Sequence, residues 1–93
     1  AISLRDAHDL DAADDAERRA IAHAREVGDL RLDAMATVGR AEIALGRDDA
    51  AWARAAVTRA LEVLVPLGDR KLVADAERVL GDALARLGDP GAD

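Results

Sequence analysis

Four glycine-marked stops divide this chain: Val27-Gly28-Asp29, Leu45-Gly46-Arg47, Leu67-Gly68-Asp69 and Leu87-Gly88-Asp89. Each follows a stretch with apolar residues at helical spacing. Glycine just past a helix end adopts the left-handed conformation at little cost, and an aspartate beside it caps the next helix. The spacing predicts helices over about 10–27, 30–46, 49–65 and 70–87, with Asp9 capping the first, all four glycines as left-handed stops, and Pro66 helping to end the third. Pro90 and Gly91 stop the chain after the fourth. Residues 1–8 read as a frayed end or the last turn of an earlier helix. There is no Phe or Tyr, and 23 of the 93 residues are alanine, which favours helix and lets backbones approach closely. The fold class is therefore all-α, in one domain of 93 residues. The start at Ala1 suggests an excerpt of a longer protein.

The helical faces follow from a period of about 3.6 residues. In the first helix Leu10, Ala13, Ala20, Ile21, Ala24 and Val27 point inward. The second is apolar around most of its circumference: one stripe is Ala34, Met35, Val38, Ala41 and Leu45, and the other is Leu32, Ala36, Gly39 and Ile43. Asp33, Thr37, Arg40 and Ala44 remain for solvent. A helix with two apolar stripes needs neighbours on two sides, and Gly39 is expected to let one come close. The third helix turns Ala53, Val57, Ala60, Leu61 and Leu64 inward. The fourth turns in Val73, Ala76, Leu80, Ala83, Leu84 and Leu87.

The chain also repeats itself. Ala13, Ala20, Ile21, Ala24 and Val27-Gly28-Asp29 recur forty residues on as Ala53, Ala60, Leu61, Leu64 and Leu67-Gly68-Asp69. Val38-Gly39, Ala41 and Leu45-Gly46 recur after 42 as Leu80-Gly81, Ala83 and Leu87-Gly88. A unit of two helices is too long for a coiled-coil heptad and fits a stacked helix-pair array. The pattern resembles the tetratricopeptide repeat (TPR). Val38-Gly39 and Leu80-Gly81 match its apolar–glycine pair, Gly46 and Gly88 its turn glycine, and Ala13, Ala20, Ala53 and Ala60 its small residues at helix crossings. With Ala24–Asp29 closing a long second helix, the chain is similar to the roughly 40-residue TPR variant of bacterial transcriptional regulators. The resemblance covers residues 9–89 and lacks the large aromatics of the family. Met35 and Glu77, and Glu42 and Leu84, stand where they would be, and Glu17 stands where a bulky apolar residue is usual.

That resemblance implies a right-handed stack of antiparallel helix pairs, a TPR-like α-solenoid, acting as a non-catalytic protein- or peptide-binding scaffold, and its context implies transcription regulation in the bacterial cytoplasm. In TPR arrays the first helix of each pair lines the concave surface. By position this gives Asp33, Ala36, Arg40, Ile43 and Ala44, then Asp75, Arg78, Asp82, Ala85 and Arg86, as the partner-binding groove. The arginines there suit a carboxylate. The alternative is a solvated face with intrahelical pairs such as Asp82–Arg86. Trp52 either packs under the fourth helix or serves as an interface anchor.

Other classes fare less well. The net charge of −6 argues against direct nucleic-acid contact and against an anionic membrane surface. No apolar run reaches the ~18–20 residues that span a bilayer. Without cysteine there is no thiolate metal site. Asp9, Asp11, Asp14, Asp15 and Glu17 beside His8 lack calcium-loop spacing and read as solvated acids, with Asp14–Arg18 as an i,i+4 pair. His8 and His23 are fifteen apart and lack a third ligand. The sole serine, Ser3, is badly placed for a triad. No catalytic residue, metal or cofactor is expected. A self-associating helical dimerisation domain is the main alternative function, and a small-ligand-binding helical bundle a weaker one.

Overall fold

The helices start where an aspartate can satisfy the free N–H groups of a first turn. In the computed structural model of the chain, which describes residues 4–88, Asp29, Asp49 and Asp69 each accept a hydrogen bond from the backbone N–H three residues on. Those donors are Leu32, Trp52 and Leu72, at 3.0, 3.2 and 3.1 Å. The elements are α1 (Leu4–Val27), α2 (Leu30–Gly46), α3 (Ala50–Leu67) and α4 (Arg70–Arg86), with no strand among the described residues. Gly28, Gly68 and Gly88 take positive φ after α1, α3 and α4, as their sequence context requires.

Three boundaries differ from expectation. No glycine or proline lies between residues 4 and 27, so α1 starts a turn and a half early and Asp9 sits inside it. Gly46 is the last residue of α2 and does not turn left-handed. The longer connection Arg47-Asp48-Asp49 moves the reversal to Asp48, at φ 61°, and aspartate tolerates that conformation better than most residues. Helix α3 runs through Pro66 to Leu67, because a proline so near the end costs only one ladder bond. Ser3, Asp89, Pro90 and Gly91 lie outside the described residues.

Helix α2 packs against α1, α3 and α4, and α3 also packs against α4. Among the described residues α2 is the one helix that α1 packs against. The assembly measures 38 × 33 × 18 Å, the thin dimension being that of two helix layers. The core joins α2, α3 and α4. Its larger side chains are Val38, Leu45, Val57, Leu64 and Val79, and alanines fill most of the remaining positions. The expected inward residues of α3 are buried, apart from half-buried Leu61. In α4 Val79 is buried, and Leu87 is 42% exposed.

Helix α1 is the exception to the expected pattern. Ala13 is exposed, Val27 is 59% exposed, and Asp14 is buried at 5% exposure. The repeat explains Ala13. Its counterpart Ala53 is fully buried, since α3 lies between α2 and α4, whereas α1 has one neighbour. The glycines diverge in the same way. At Gly39 the carboxylate end of Glu17, from α1, occupies the place a Cβ would take; at Gly81 nothing stands within 4 Å. Helix α1 therefore does come close over Gly39, but through a flexible side chain and not its backbone. Gly81→Ala should stabilise the chain by about 0.5–1 kcal/mol through helix propensity. Gly39→Ala should stay within about 1 kcal/mol of the parent, because Glu17 can swing aside. Gly39→Leu should lose about 1–3 kcal/mol by overpacking. Urea unfolding distinguishes the three; a tolerated Gly39→Leu would contradict the α1–α2 packing.

Candidate functional site

The most constrained polar group is the Asp14 carboxylate, whose side chain is 8% exposed. Burial of an unpaired carboxylate is costly, so partners must converge on it. Arg40 Nε of α2 donates to Oδ1 at 2.8 Å, Arg18 Nε of α1 pairs with Oδ2 at 3.1 Å, and Arg47 Nη1 lies 3.7 Å away. Burial by itself would raise the Asp14 pKa. The Arg40 hydrogen bond and the fields of Arg40, Arg18 and Arg47 outweigh it and hold the carboxyl below its ordinary range. Arg47 also pairs with Asp11. The expectation of solvated acids here is corrected for Asp14, and for Glu17, which is half-buried.

Arg40 carries the connection further. Its guanidinium carbon lies 4.9 Å from the Trp52 ring centroid, a cation–π distance. Trp52 is half-buried against the core and stands beside Arg40. One polar chain thus runs from α1 through α2 to α3. At the helix-turn end, Arg31 Nε binds Asp69 Oδ2 at 2.7 Å. The Leu72 N–H and Arg31 hold Asp69 below the usual carboxylate range.

Because α1 and α3 do not pack against each other, a groove of about 520 Å³ opens between them with α2 as its floor. Its volume is within the range of ligand sites. Arg18, Ile21 and Arg25 form the α1 wall, and Trp52, Arg59 and Val63 the α3 wall. Leu30, Asp33, Thr37 and Arg40 line the floor. Arg25 Nε donates to Asp33 Oδ2 at 3.3 Å, and the Thr37 hydroxyl donates to the Asp33 carbonyl at 2.8 Å. Four arginines converge along this groove against two carboxylates, Asp33 in the groove and Asp14 bound to Arg40 and Arg18, on a chain whose net charge is −6.

The residues expected to share one groove are distributed over three places. Asp33 and Arg40 line the α1–α3 groove. Ile43 is buried at 8% exposure, with Ala36 at 2% and Ala44 at 7%, so these three are interior residues. Ile43 and Ala36 lie on the same stripe as Gly39 and Gly46, which face Glu17 and Leu10 of α1. Arg78, Asp82 and Arg86 are exposed on α4 near α2, with Ala85 also exposed and Asp75 half-buried. There Arg78 Nη2 donates to Glu42 Oε1 at 3.0 Å. Arg86 Nε donates to Asp82 at 3.1 Å, and its Nη1 donates to the Leu45 carbonyl at 2.6 Å. The Leu45 carbonyl also accepts from the Asp48 N–H at 3.1 Å, so Arg86 is a second donor that ties α4 to the end of α2 and is a structural residue. Sequence reasoning missed Arg18, Arg25 and Arg59 as groove residues. The seven-residue spacing of Arg18 and Arg25, two helical turns, is the signal that could have found the first two.

His8 and His23 are both exposed. Among the described residues no three of His, Asp and Glu converge as metal ligands, and no helix is long and apolar enough to cross a membrane. Comparison of the chain with protein-family models, with curated proteins and with solved structures finds no match.

Glu17 has the opposite electrostatics to Asp14. Burial, then the nearby Glu42 and Asp14 charges, raise its pKa above 4.5. The folded chain therefore holds this proton more tightly than the unfolded chain. No cost arises below the unfolded value; a cost grows as pH rises through the folded value. Glu17→Gln should raise the melting temperature at pH 7, and the two proteins should converge as pH falls below about 4.5. A variant equal to the parent at pH 7 would show that the Glu17 charge is well solvated.

Proposed function

We propose that the chain is a non-catalytic protein-interaction module, built as a TPR-like, right-handed stack of helix pairs and serving as the regulatory segment of a bacterial cytoplasmic regulator. The observation that carries this reading is the contact pattern around α2. It packs on three helices while α1 and α3 stay apart, so the helices add sideways and leave open grooves between them. Repeat-equivalent residues behave as stacking requires: Ala53 is buried between neighbours, and Ala13, with a neighbour on one side, is exposed. The predominance of alanine at the core fits close helix crossing.

A second reading, self-association, is favoured by the apolar residues towards the end of α4 and just past it, where Leu84 is half-buried and Leu87 is 42% exposed. Sedimentation at rising concentration tests it, and a strict monomer would exclude it. The module reading is tested by selecting a random peptide library against the immobilised chain. Enrichment of a shared pattern is expected, with members that compete with one another and bind in the micromolar range, about −8 kcal/mol. Enrichment no better than that of an unrelated helical control of similar size would contradict it.

A further inference from the structure

The geometry points to the groove between α1 and α3, floored by α2, as the docking site for an acidic, extended peptide segment of a partner protein. This inference rests on the interaction-module reading and names the partner's chemistry.

Charge is the first support. The chain carries six more acidic than basic residues, yet Arg18, Arg25, Arg40 and Arg59 converge here against two carboxylates, Asp33 in the groove and Asp14 bound to Arg40 and Arg18. Two of the four are well placed to change partners. The side chains of Arg18 and Arg25 are 63% and 73% exposed, and their present contacts are to acids within the protein, Asp14 and Asp33. Asp14 keeps its Arg40 hydrogen bond if Arg18 turns to a ligand. Arg59 has no ion-pair partner among the described residues. Arginine presents a planar fork that suits carboxylates two-pronged.

Shape and apolar lining are the second support. From Leu30 to Arg40 the floor is about 15 Å long at ~1.5 Å per helical residue. That length takes about five residues of extended chain at ~3.3 Å each. Ile21 and Val63 on the walls and Leu30 on the floor supply apolar surface between the arginines, so a peptide mixing acidic and aliphatic residues fits better than a uniformly charged polymer. A nucleic-acid strand fits worse, because a phosphate at every residue leaves the apolar lining unused and meets Asp33 in the groove.

Trp52 lines this groove and is the only tryptophan, so its fluorescence reports occupancy directly. The test titrates the full chain with a capped hexapeptide of alternating glutamate and leucine, with its lysine-for-glutamate counterpart, and with a short oligothymidylate. The inference expects a saturable Trp52 response to the glutamate peptide alone, weakened by added salt. Arg59→Glu should weaken it about tenfold or more, with helical circular dichroism unchanged. Arg78→Ala, on the α2–α4 surface, should leave it intact. The inference is overturned by no response to the glutamate peptide, by equal or stronger binding of the lysine peptide or the oligonucleotide, or by indifference to Arg59→Glu. If library-selected ligands bind and Arg78→Ala abolishes them, the groove assignment falls and the module reading stands. If the library yields no ligand, the module reading itself falls.

Discussion

A buried carboxylate needs a partner, and much of this structure follows from how Asp14 obtains one. From residue 8 onward, where the side chains of α1 are described, its buried apolar residues are Ile21 and Ala24. What pins it is the Asp14 carboxylate, bridged to Arg40 of α2 and braced by Arg18 and Arg47. A charge-assisted hydrogen bond of this kind contributes about 1.5–3 kcal/mol net, and losing one partner leaves the other uncompensated. Arg40 then lies over Trp52, so the orientation of α1 is transmitted across α2 to α3. Near the opposite end of α2, Arg31 in its first turn binds Asp69, the cap of α4. Helices α1 and α3 stay apart over α2, and the groove is the space that results.

The rest of the fold is governed by how many neighbours a helix has. The repeat supplies related helices, but equivalent positions meet different surroundings. Ala53 is buried where Ala13 is exposed, and Gly39 meets Glu17 where Gly81 meets open space. Helices crossing on alanine approach closely and bury little area each. The stability of α2, α3 and α4 therefore depends on a few larger side chains, Leu64, Val57 and Val79 among them, that are almost wholly enclosed.

Much of this was legible in the sequence where the determinants are local. The bounds of α2, the caps at Asp29 and Asp69, the inward face of α3 and the pairs Asp14–Arg18 and Asp82–Arg86 all depend on residues within one or two turns of each other. The misses are non-local. A helical wheel sorts Asp14 to the solvent face, since nothing nearby in sequence reveals Arg40, 26 residues on. Helix α2 is apolar on so much of its surface that its pattern does not say which side stays open. Asp33 and Arg40 were accordingly grouped with Arg78, while Ile43 is interior. The surface partner of Arg78 is Glu42, and it comes from the same ambiguous helix.

The claim on which the account depends is that Asp14 and Arg40 are coupled across the α1–α2 interface. A double-mutant cycle with Asp14→Asn and Arg40→Gln, read by urea unfolding, measures that coupling. The folded Asp14 pKa lies below its ordinary value of 3.8, so the stabilisation is complete above the unfolded value and is lost as pH falls through the folded one. The account predicts a coupling of about 1.5–3 kcal/mol at pH 7 that decays towards zero in acid. Additive effects at pH 7, or a coupling that does not change with pH, would contradict it.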